Sequence, residues 1–225
     1  QMCIRDRNIP VAHIEAGVRI IGDSNPEELN RHLTDHLASL NFAPTRDAYD
    51  NLCKENLANI SKLTGDVLLD CYVCYENSAD YSILYKLNLK PDQYYLATLH
   101  RPENTDLSNY TRFEQIFLAL EELDYPVILP LHPRSKPVFD LYCKNYKINN
   151  IRIIDPVSYF EIIGLTKEAK IIITDSGGLQ REANWSGKSC IVPYDRIIWK
   201  EQTEKKWTIV SDIACLLYTS PSPRD

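Results

Sequence analysis

Residues that could bind an anion or move a proton gather in short segments of this chain. The segment "TDSGGLQREA" (174–183) follows the apolar run "AKIII", and its two glycines come directly after Asp175 and Ser176. A strand, a Ser-Gly-Gly turn and a helix start together expose backbone N–H groups at the positive end of a helix dipole. Because glycine has no Cβ, Gly177 and Gly178 allow a ligand to approach the backbone closely. The segment predicts a phosphate or diphosphate site; the alternative is a tight turn in which Ser176 only caps the helix.

Two further segments join histidine to arginine. The segment "TLHRPEN" carries His100, Arg101 and Glu103 within four residues, and "LHPR" carries His132 and Arg134. Arginine clamps anions and histidine transfers protons near neutral pH, so both segments suit a site beside a phosphate. A surface loop with a salt bridge is the alternative for either segment alone, and the presence of two such segments favours a site.

Three glutamates are candidates for acid–base chemistry. Glu15 lies in "HIEAG", at the end of a predicted strand, and is either a hydrogen-bonded structural acid or a general base. Glu27 and Glu28 open a predicted helix, where compensation of the helix dipole is the simpler explanation. From these residues alone the structural explanation is favoured for all three.

Two pairs of residues, of types that can bind metals, have a spacing that is found in metal or redox sites. His32 and His36 lie one helical turn apart, but the sequence shows no HExxH glutamate and no matched third ligand beside them. Cys71 and Cys74 form a CxxC inside a helix-like stretch, whereas a redox motif needs a strand-to-helix junction. Hydrogen-bonded or solvated histidines and two ordinary thiols are therefore favoured, and neither a metal site nor a cofactor is predicted.

Strand-like and helix-like segments alternate without a hairpin signal, which predicts an α/β fold of parallel sheets with helices on both faces. In such sheets ligands bind beyond the carboxyl ends of the strands, where the histidine, arginine and glycine segments lie. The segment "IPVAHIEAG" is predicted as a buried strand. In the helix that follows, residues 25–40, Asn25 suits the cap position. Four leucines at helical spacing predict one buried stripe on that helix: Leu29, Leu33, Leu37 and Leu40.

Composition limits what the protein can be. The chain has 225 residues, of which 44% are hydrophobic and 25% charged, as in ordinary globular proteins. Its net charge of −6 argues against nucleic-acid binding, although a local basic pocket can still hold an anionic small molecule. No apolar run is long enough to span a membrane. Seven cysteines in a chain of this length favour a reducing compartment, which predicts a cytoplasmic protein.

The alternation is interrupted in the middle of the chain by an irregular, tyrosine-rich stretch. We therefore expect one domain over residues 8–75, a linker over 76–90 and a second domain over 91–214. The two end segments, "QMCIRDR" (1–7) and "CLLYTSPSPRD" (215–225), resemble translated read-through of sequencing adapters. They are expected to be non-native and are left out of the fold prediction.

Six segments stand in a recognisable order over roughly residues 9–200: "HIEAGVR", "PEELNRHLTDHLASLNFAPT", "TGDVLLD", "LHRPENTD", "LHPR" and "TDSGGLQREA". As a set they resemble the non-hydrolysing UDP-N-acetylglucosamine 2-epimerases. The resemblance implies two Rossmann-like domains arranged as in GT-B glycosyltransferases. It also implies an isomerase without cofactor that inverts C2 of a UDP-2-acetamido sugar for the synthesis of surface polysaccharide precursors.

The resemblance further implies a mechanism and residue roles. C2 loses its proton as UDP leaves by anti elimination, and UDP adds back to the glucal intermediate to give the other epimer. Glu15 and Glu27 match carboxylates assigned to acid–base catalysis, and His100 matches the histidine near the diphosphate. The implied UDP-binding residues are the diphosphate loop, the ribose glutamate and two nearby basic residues: Ser176, Gly177, Gly178, Glu182, Arg101 and His132.

The chain departs from the family pattern at both ends. A first strand with a phosphate-binding arginine and a later loop aspartate would precede residue 8, and the amino-terminal domain is therefore expected to be truncated. After "SGKSCIVP" the chain reads "YDRIIWKEQTEKKW", where the family has an arginine followed by "TE". We expect the 225-residue chain to be inactive, and its longer parent to be an enzyme, a homodimer, that binds neither membranes nor nucleic acid.

Other functions remain open at this point. A hydrolysing 2-epimerase or a GT-B glycosyltransferase is one alternative, but the intact "PEELNR" helix favours the non-hydrolysing reaction. An inactive nucleotide-sugar-binding fragment is another. Within the epimerases, "HRPENTD", "HPR" and "IDPVSY" favour the branch that acts on UDP-2,3-diacetamido-uronic acid sugars.

Overall fold

The computed structural model describes residues 9–20, 26–193, 199–204 and 207–210, and strands and helices alternate through this part of the chain. The strands are β1 (Ala12–Ile14), β2 (Leu40–Ala43), β3 (Ser61–Leu63), β4 (Tyr95–Thr98), β5 (Val127–Pro130), β6 (Ile151–Ile154), β7 (Ile171–Thr174), β8 (Cys190–Val192) and β9 (Thr208–Val210). The α-helices are α1 (Pro26–Leu37), α2 (Arg46–Lys54), α3 (Val67–Tyr75), α4 (Ser82–Lys86), α5 (Pro102–Thr105), α6 (Tyr110–Glu121), α7 (Lys136–Asn145), α8 (Tyr159–Glu168), α9 (Gly177–Trp185) and α10 (Lys200–Glu204).

The chain forms two compact units, Gln1–Val73 and Cys74–Asp225, and each contains its own parallel sheet. The first sheet has the order β1-β2-β3, and the second has the order β6-β5-β4-β7-β8-β9. In the second sheet, β5 and β6 are added in turn on one side of β4. The chain then crosses over, and β7 pairs with the other side of β4. The gap between the ends of β4 and β7 is therefore the switch point at which such sheets bind ligands.

Helices cover both faces of the second sheet, as predicted. Ala97 packs on one face into a cluster with Phe113 and Phe117 of α6, and its neighbour Leu96 packs on the other face into a cluster with Leu165 of α8 and other side chains. The opposite facing of adjacent residues follows from the two-residue period of a strand. Burial of each large apolar side chain in these clusters contributes about 1.5–3 kcal/mol. The sheet is thus a rigid platform for the loops at its carboxyl edge.

The first strand is not the buried strand that the sequence predicts. Ala12 is exposed and Ile14 is 56% exposed. The reason is position: within the described residues β1 pairs with β2 alone and forms the edge of its sheet. An apolar run of this length indicates a strand but does not say how many of its faces are covered.

The predicted leucine stripe on α1 is wrong. Leu29 and Leu33 are 60% and 51% exposed, whereas the inward face of the helix carries Glu28, Thr34 and Asp35. Buried hydrogen bonds to Asp35, described below, determine which face of the helix turns inward. The predicted cap residue Asn25 lies outside the described residues.

Residues 76–90, expected to be a linker, instead belong to the second unit. This stretch contains α4, whose Ile83 and Leu84 are buried in the hydrophobic cluster that also holds Leu165 of α8. The approach to α8 is close, because a Cβ on Gly164 would lie 2.6 Å from the carbonyl oxygen of Asp80. A glycine at that position therefore allows a segment without a clear periodic pattern to pack against the domain.

The "LLDCYVCYEN" stretch is helical, as predicted, and forms most of α3. Cys71 and Cys74 are exposed free thiols on that helix.

None of the helices in the described ranges combines the length and the apolar character that a membrane span requires.

Candidate functional site

The carboxyl ends of β4 and β7 bring two of the predicted segments together around Asp175. This aspartate directly follows β7, and its side chain is fully buried. Its carboxylate accepts the backbone N–H of His100 at 3.1 Å, the backbone N–H of Arg101 at 3.0 Å and the side-chain amide of Asn104 at 2.9 Å. The ring Nδ1 of His100 lies 3.1 Å from the same carboxylate. We call these four residues the Asp175 cluster.

The Asp175 cluster is held in place from several sides. The Nε of Arg101 donates to the backbone carbonyl of Asp175 at 2.7 Å, and Arg112 donates to the side-chain oxygen of Asn104 at 2.7 Å. Burial alone would raise the pKa of Asp175, but the hydrogen bonds from His100 and Asn104 and from the backbone of Arg101 outweigh burial, and the pKa is lowered. Asp175 is therefore a charged anchor, and sequence reasoning gave no role to Asn104 or Arg112.

The Ser-Gly-Gly turn begins α9 beside this anchor. The Ser176 hydroxyl accepts the backbone N–H of Leu179 at 3.4 Å, so Ser176 does cap the helix, as the alternative interpretation expects. Positive φ among the described glycines occurs at Gly17, Gly65 and Gly187, so Gly177 and Gly178 are not required by backbone conformation. Their remaining advantage is the missing Cβ at a helix start, where N–H groups lack intrahelical partners. Capping and anion binding are therefore compatible at this turn.

Trp199, from the segment that departs from the family pattern, contacts the same turn. Its indole N–H donates to the carbonyl of Gly177 at 3.1 Å, and the guanidinium of Arg181 stacks 4.1 Å from the centre of its ring. Trp199 is buried, and residues 194–198 before it lie outside the described residues. Sequence reasoning missed this contact, because nothing in the local pattern links position 199 to the turn.

Glu182 lies further along α9 and is also buried. Burial raises the pKa of Glu182, while the hydrogen bond from Tyr159 and the nearby charge of Arg181 act in the opposite direction. The Tyr159 hydroxyl donates to Glu182 at 3.0 Å. A buried carboxylate with one oriented donor is suited to accept a further hydrogen bond from a ligand hydroxyl.

His132 is brought close to His100, as their common position at strand ends predicts. The two ring centres lie 5.8 Å apart. His132 is exposed, and its Nδ1 accepts the backbone N–H of Arg134 at 3.1 Å. Ser135 donates to the carbonyl of Leu99 at 2.6 Å and so ties the loop after β5 to the end of β4.

The first unit contains a second buried anchor, Asp35 of α1. Its carboxylate lies 2.5 Å from Nδ1 of His13 and accepts the backbone N–H of Gly17 at 3.1 Å and the Nη2 of Arg19 at 2.6 Å. Burial alone would raise the pKa of Asp35, but the hydrogen bonds from His13 and Arg19 outweigh burial and lower the pKa. These interactions fasten the loop after β1 to the inner face of α1, and sequence reasoning did not anticipate them.

Glu15 lies in that loop, between two residues that Asp35 holds. Its φ is +70°, a left-handed conformation that costs a residue with a Cβ roughly 1–2 kcal/mol. Strain of this kind persists only where the surrounding structure imposes it, and it concentrates at functional sites. Gly17, two residues later, has a φ of +80°, and a Cβ there would lie 2.2 Å from the carbonyl oxygen of Ala48. The loop path is therefore tightly determined.

Glu27 and Glu28 share one arginine on α1. Arg31 donates from Nη2 to Glu27 at 2.6 Å and from Nη1 to Glu28 at 3.2 Å. Glu28 is buried, while the Glu27 side chain is about half exposed and accessible to a ligand. The predicted acid–base residues Glu15 and Glu27 thus belong to the first unit, and the other predicted site residues belong to the second.

Comparison with known proteins assigns the chain to a protein family. Residues 2–214 match the family model described as UDP-N-acetylglucosamine 2-epimerase. The chain belongs to this family. The UDP-N-acetylglucosamine 2-epimerase homolog of Methanococcus maripaludis is 38% identical over 212 residues, which cover 90% of this chain and 58% of the relative. The UDP-2,3-diacetamido-2,3-dideoxy-D-glucuronate 2-epimerase of Pseudomonas aeruginosa is 40% identical over 200 residues, which cover 86% of this chain and 54% of the relative.

Solved structures agree with the family assignment. The UDP-GlcNAc 2-epimerase of Methanocaldococcus jannaschii, in complex with UDP-GlcNAc and UDP, matches with a TM-score of 0.86 and 33% identity over 99% of this chain and 66% of that chain. The Neisseria meningitidis enzyme bound to UDP-GlcNAc matches with a TM-score of 0.78 and 27% identity over 96% of this chain and 62% of that chain. The predicted family and α/β fold are therefore confirmed. The chain spans a little over half the length of the curated relatives it matches.

Proposed function

We propose that the protein containing this chain inverts C2 of a UDP-2-acetamido sugar by elimination and re-addition of UDP. The observation that carries the proposal is the Asp175 anchor, which places His100 and Arg101 beside the glycine start of α9. A charged anchor, a histidine and an open helix start form a site for a diphosphate that must leave and return. Relatives solved with UDP and UDP-GlcNAc support the same ligand class.

In this proposal the second unit holds UDP. The diphosphate lies against the first turn of α9, whose N–H groups and dipole stabilise the charge that grows as UDP departs. His100 keeps a 39% exposed side chain while its backbone is fixed by Asp175, which supports a role for its ring in contacting a phosphate oxygen. His132 and Arg101 add to the binding site, and Glu182 accepts a hydrogen bond from the ribose.

Glu15 and Glu27 are proposed to carry the proton transfers. One carboxylate takes the proton from C2 as the C1–oxygen bond to UDP breaks and a C1–C2 double bond forms. UDP then adds back to C1 while a proton is delivered to the opposite face of C2, so the reaction is redox-neutral. Each positioned proton transfer supplies roughly 10²–10⁴-fold in rate. Asp35 and Arg31 act as positioning residues for Glu15 and Glu27.

We further propose that the protein acts in the cytoplasm as a homodimer, without a catalytic metal or nicotinamide and without nucleic-acid or membrane partners. The described cysteines at positions 53, 71, 74, 143 and 190 are free thiols, as expected in a reducing compartment. Light scattering on the longer protein tests the oligomeric state.

Calorimetric titration of the 225-residue chain with UDP tests the binding part of the proposal. We expect Ser176→Ala and Glu182→Ala to weaken UDP binding, because they remove the turn hydroxyl and the ribose acceptor. Ser78→Ala and Glu122→Ala are matched controls at exposed positions and should leave the affinity unchanged. Equal UDP affinity in all four variants would contradict the placement of UDP on α9.

Proton NMR in D₂O on the longer protein that contains this sequence tests the reaction. Epimerisation by elimination predicts solvent deuterium at C2 of the product sugar. Equal amounts of free UDP and free sugar would instead identify a hydrolysing enzyme. UDP-GlcNAc and a UDP-2,3-diacetamido-uronic acid should be compared by kcat/KM, since relatives named for each substrate are of similar identity to this chain.

A further inference from the structure

A cluster outside the proposed reaction site joins α1 to the end of α2. His32 and His36 lie one turn apart on α1, and Glu55 directly follows α2. The Nδ1 of His32 is 3.3 Å and the Nε2 of His36 is 3.2 Å from Oε2 of Glu55. One ligand atom from each of these three residues lies within 4.8 Å of the other two. The sequence shows the two histidines without a third ligand, and the fold supplies that ligand.

We propose that His32, His36 and Glu55 bind a divalent first-row transition-metal ion such as Zn²⁺. Two imidazoles and one carboxylate are a common donor set for such ions, with a water as the fourth ligand. Metal–ligand bonds of about 2.0–2.1 Å in a tetrahedron place neighbouring ligand atoms ~3.3 Å apart. The two histidine–glutamate separations already have this length. Both histidine side chains are about half exposed, so the rings can turn toward a shared ion.

The surroundings of Glu55 favour a cation between the rings. Besides the two histidine nitrogens, Oε2 of Glu55 accepts the Nη2 of Arg19 at 2.9 Å. A carboxylate oxygen has two lone pairs and cannot serve three nitrogen donors well. A metal ion bonded to both imidazoles and to Oε2 removes this crowding, because the histidine nitrogens then act as ligands.

Arg19 would serve the site as an orienting partner. It holds Oε1 of Glu55 at 2.8 Å and also donates to Asp35 at 2.6 Å, so one guanidinium is shared between two carboxylates. Glu55 therefore keeps negative charge to offer a dication, in an orientation that Arg19 fixes. An ion at this position would fasten α1 to the end of α2, next to the anchor that holds the Glu15 loop.

Titration of the 225-residue chain with Co²⁺, followed by its visible absorption, tests the site. The background carries Cys71→Ser, Cys74→Ser and Cys143→Ser, because exposed thiols also bind such ions. We expect one Co²⁺ per chain with a tetrahedral spectrum. His32→Ala or His36→Ala should weaken binding by more than the roughly 10–100-fold typical of losing an outer-shell partner. Leu33→Ala, an exposed neighbour on the same helix, should bind Co²⁺ unchanged.

A second readout separates this site from other binding. Zn²⁺ should raise the urea midpoint of the background chain but not that of the His32→Ala/His36→Ala double variant, because only an ion bound to the folded state stabilises it. Circular dichroism of the metal-free variants checks that the fold is kept. An unchanged cobalt spectrum and affinity in His36→Ala, or an equal zinc effect in both proteins, would overturn the proposal.

Discussion

The carboxylate of Asp175 receives the backbone N–H groups of both His100 and Arg101, at 3.1 and 3.0 Å. One buried anion thereby fixes the direction of the peptide groups that follow β4, next to the first turn of α9. Since those groups do not need to reorganise when a ligand binds, the electrostatic environment is prepared in advance. In the proposed function, Asp175 acts behind the UDP site, through the neighbouring residues His100 and Arg101.

We expect Asp175→Asn to destabilise the second unit by about 3–5 kcal/mol. The N–H groups of the asparagine amide would point at the N–H groups that now donate to the buried carboxylate. The pKa of Asp175 is lowered in the folded chain. The stability that its charge contributes is therefore complete above the unfolded pKa of about 3.9 and is lost as pH falls through the lower folded value. Urea unfolding at neutral and acidic pH should show the gap between wild type and variant shrinking in acid. The exposed Asp155→Asn serves as control, and equal losses in both variants would refute the anchor role.

The left-handed conformation of Glu15 predicts a separation of stability from activity. We expect Glu15→Gly to unfold at a higher urea concentration than Glu15→Ala, with a difference of about 1 kcal/mol, because glycine adopts positive φ without the Cβ penalty. Both substitutions remove the carboxylate, so both should abolish epimerisation in the longer protein. Higher stability of the alanine variant would show that the loop relaxes and that the conformation is not imposed.

The raised pKa of Glu182 predicts that this residue lowers stability at neutral pH. A raised folded pKa means that its contribution is most favourable below the unfolded pKa of about 4.3 and declines as pH rises through the folded value. Glu182→Gln should therefore gain stability relative to wild type as pH increases. The same change should weaken UDP binding by roughly 10–100-fold, because a hydrogen bond to a charged acceptor is lost. Thermal melts between pH 4 and 8 and calorimetry check both effects, with the exposed Glu122→Gln as control.

Gly17 and Gly65 form a matched pair for testing how tightly the Glu15 loop is packed. Both have positive φ, but a Cβ on Gly17 would meet the carbonyl oxygen of Ala48 at 2.2 Å, whereas nothing lies within 4 Å of one on Gly65. Gly65→Ala should cost only the conformational penalty of about 1–2 kcal/mol. We expect Gly17→Ala to cost a further ~1–3 kcal/mol through overpacking. Urea unfolding measures both losses of stability. Equal losses in the two variants would mean that the backbone of α2 moves to make room for the methyl group added at position 17.

The residues at the strand ends could be predicted, and the anchors beneath them could not. Gly177, His100 and His132 were recognisable because parallel strands carry their ligand-binding residues at the carboxyl edge. Asp35 faces inward although the leucine spacing predicts that the leucine face of the helix is buried. The buried charge-assisted hydrogen bonds of Asp35 outweigh the cost of exposing Leu29 and Leu33. The contact between Trp199 and the turn depends on tertiary packing across a segment without a periodic pattern. Local periodicity thus indicates elements and their ends, but not which polar residues hold them together.

The strand order of the second sheet also has a consequence for biosynthesis. As the chain leaves the ribosome, β4, β5 and β6 emerge first, and they are the strands that form one side of the sheet. The other edge of β4 has no partner until β7 is made, so until then a nascent chain leaves one edge of β4 unpaired. Asp175 emerges with β7 and only then reaches the loop after β4. In the proposed function, the second unit can therefore hold the diphosphate of UDP only after β7 and the first turn of α9 have been made.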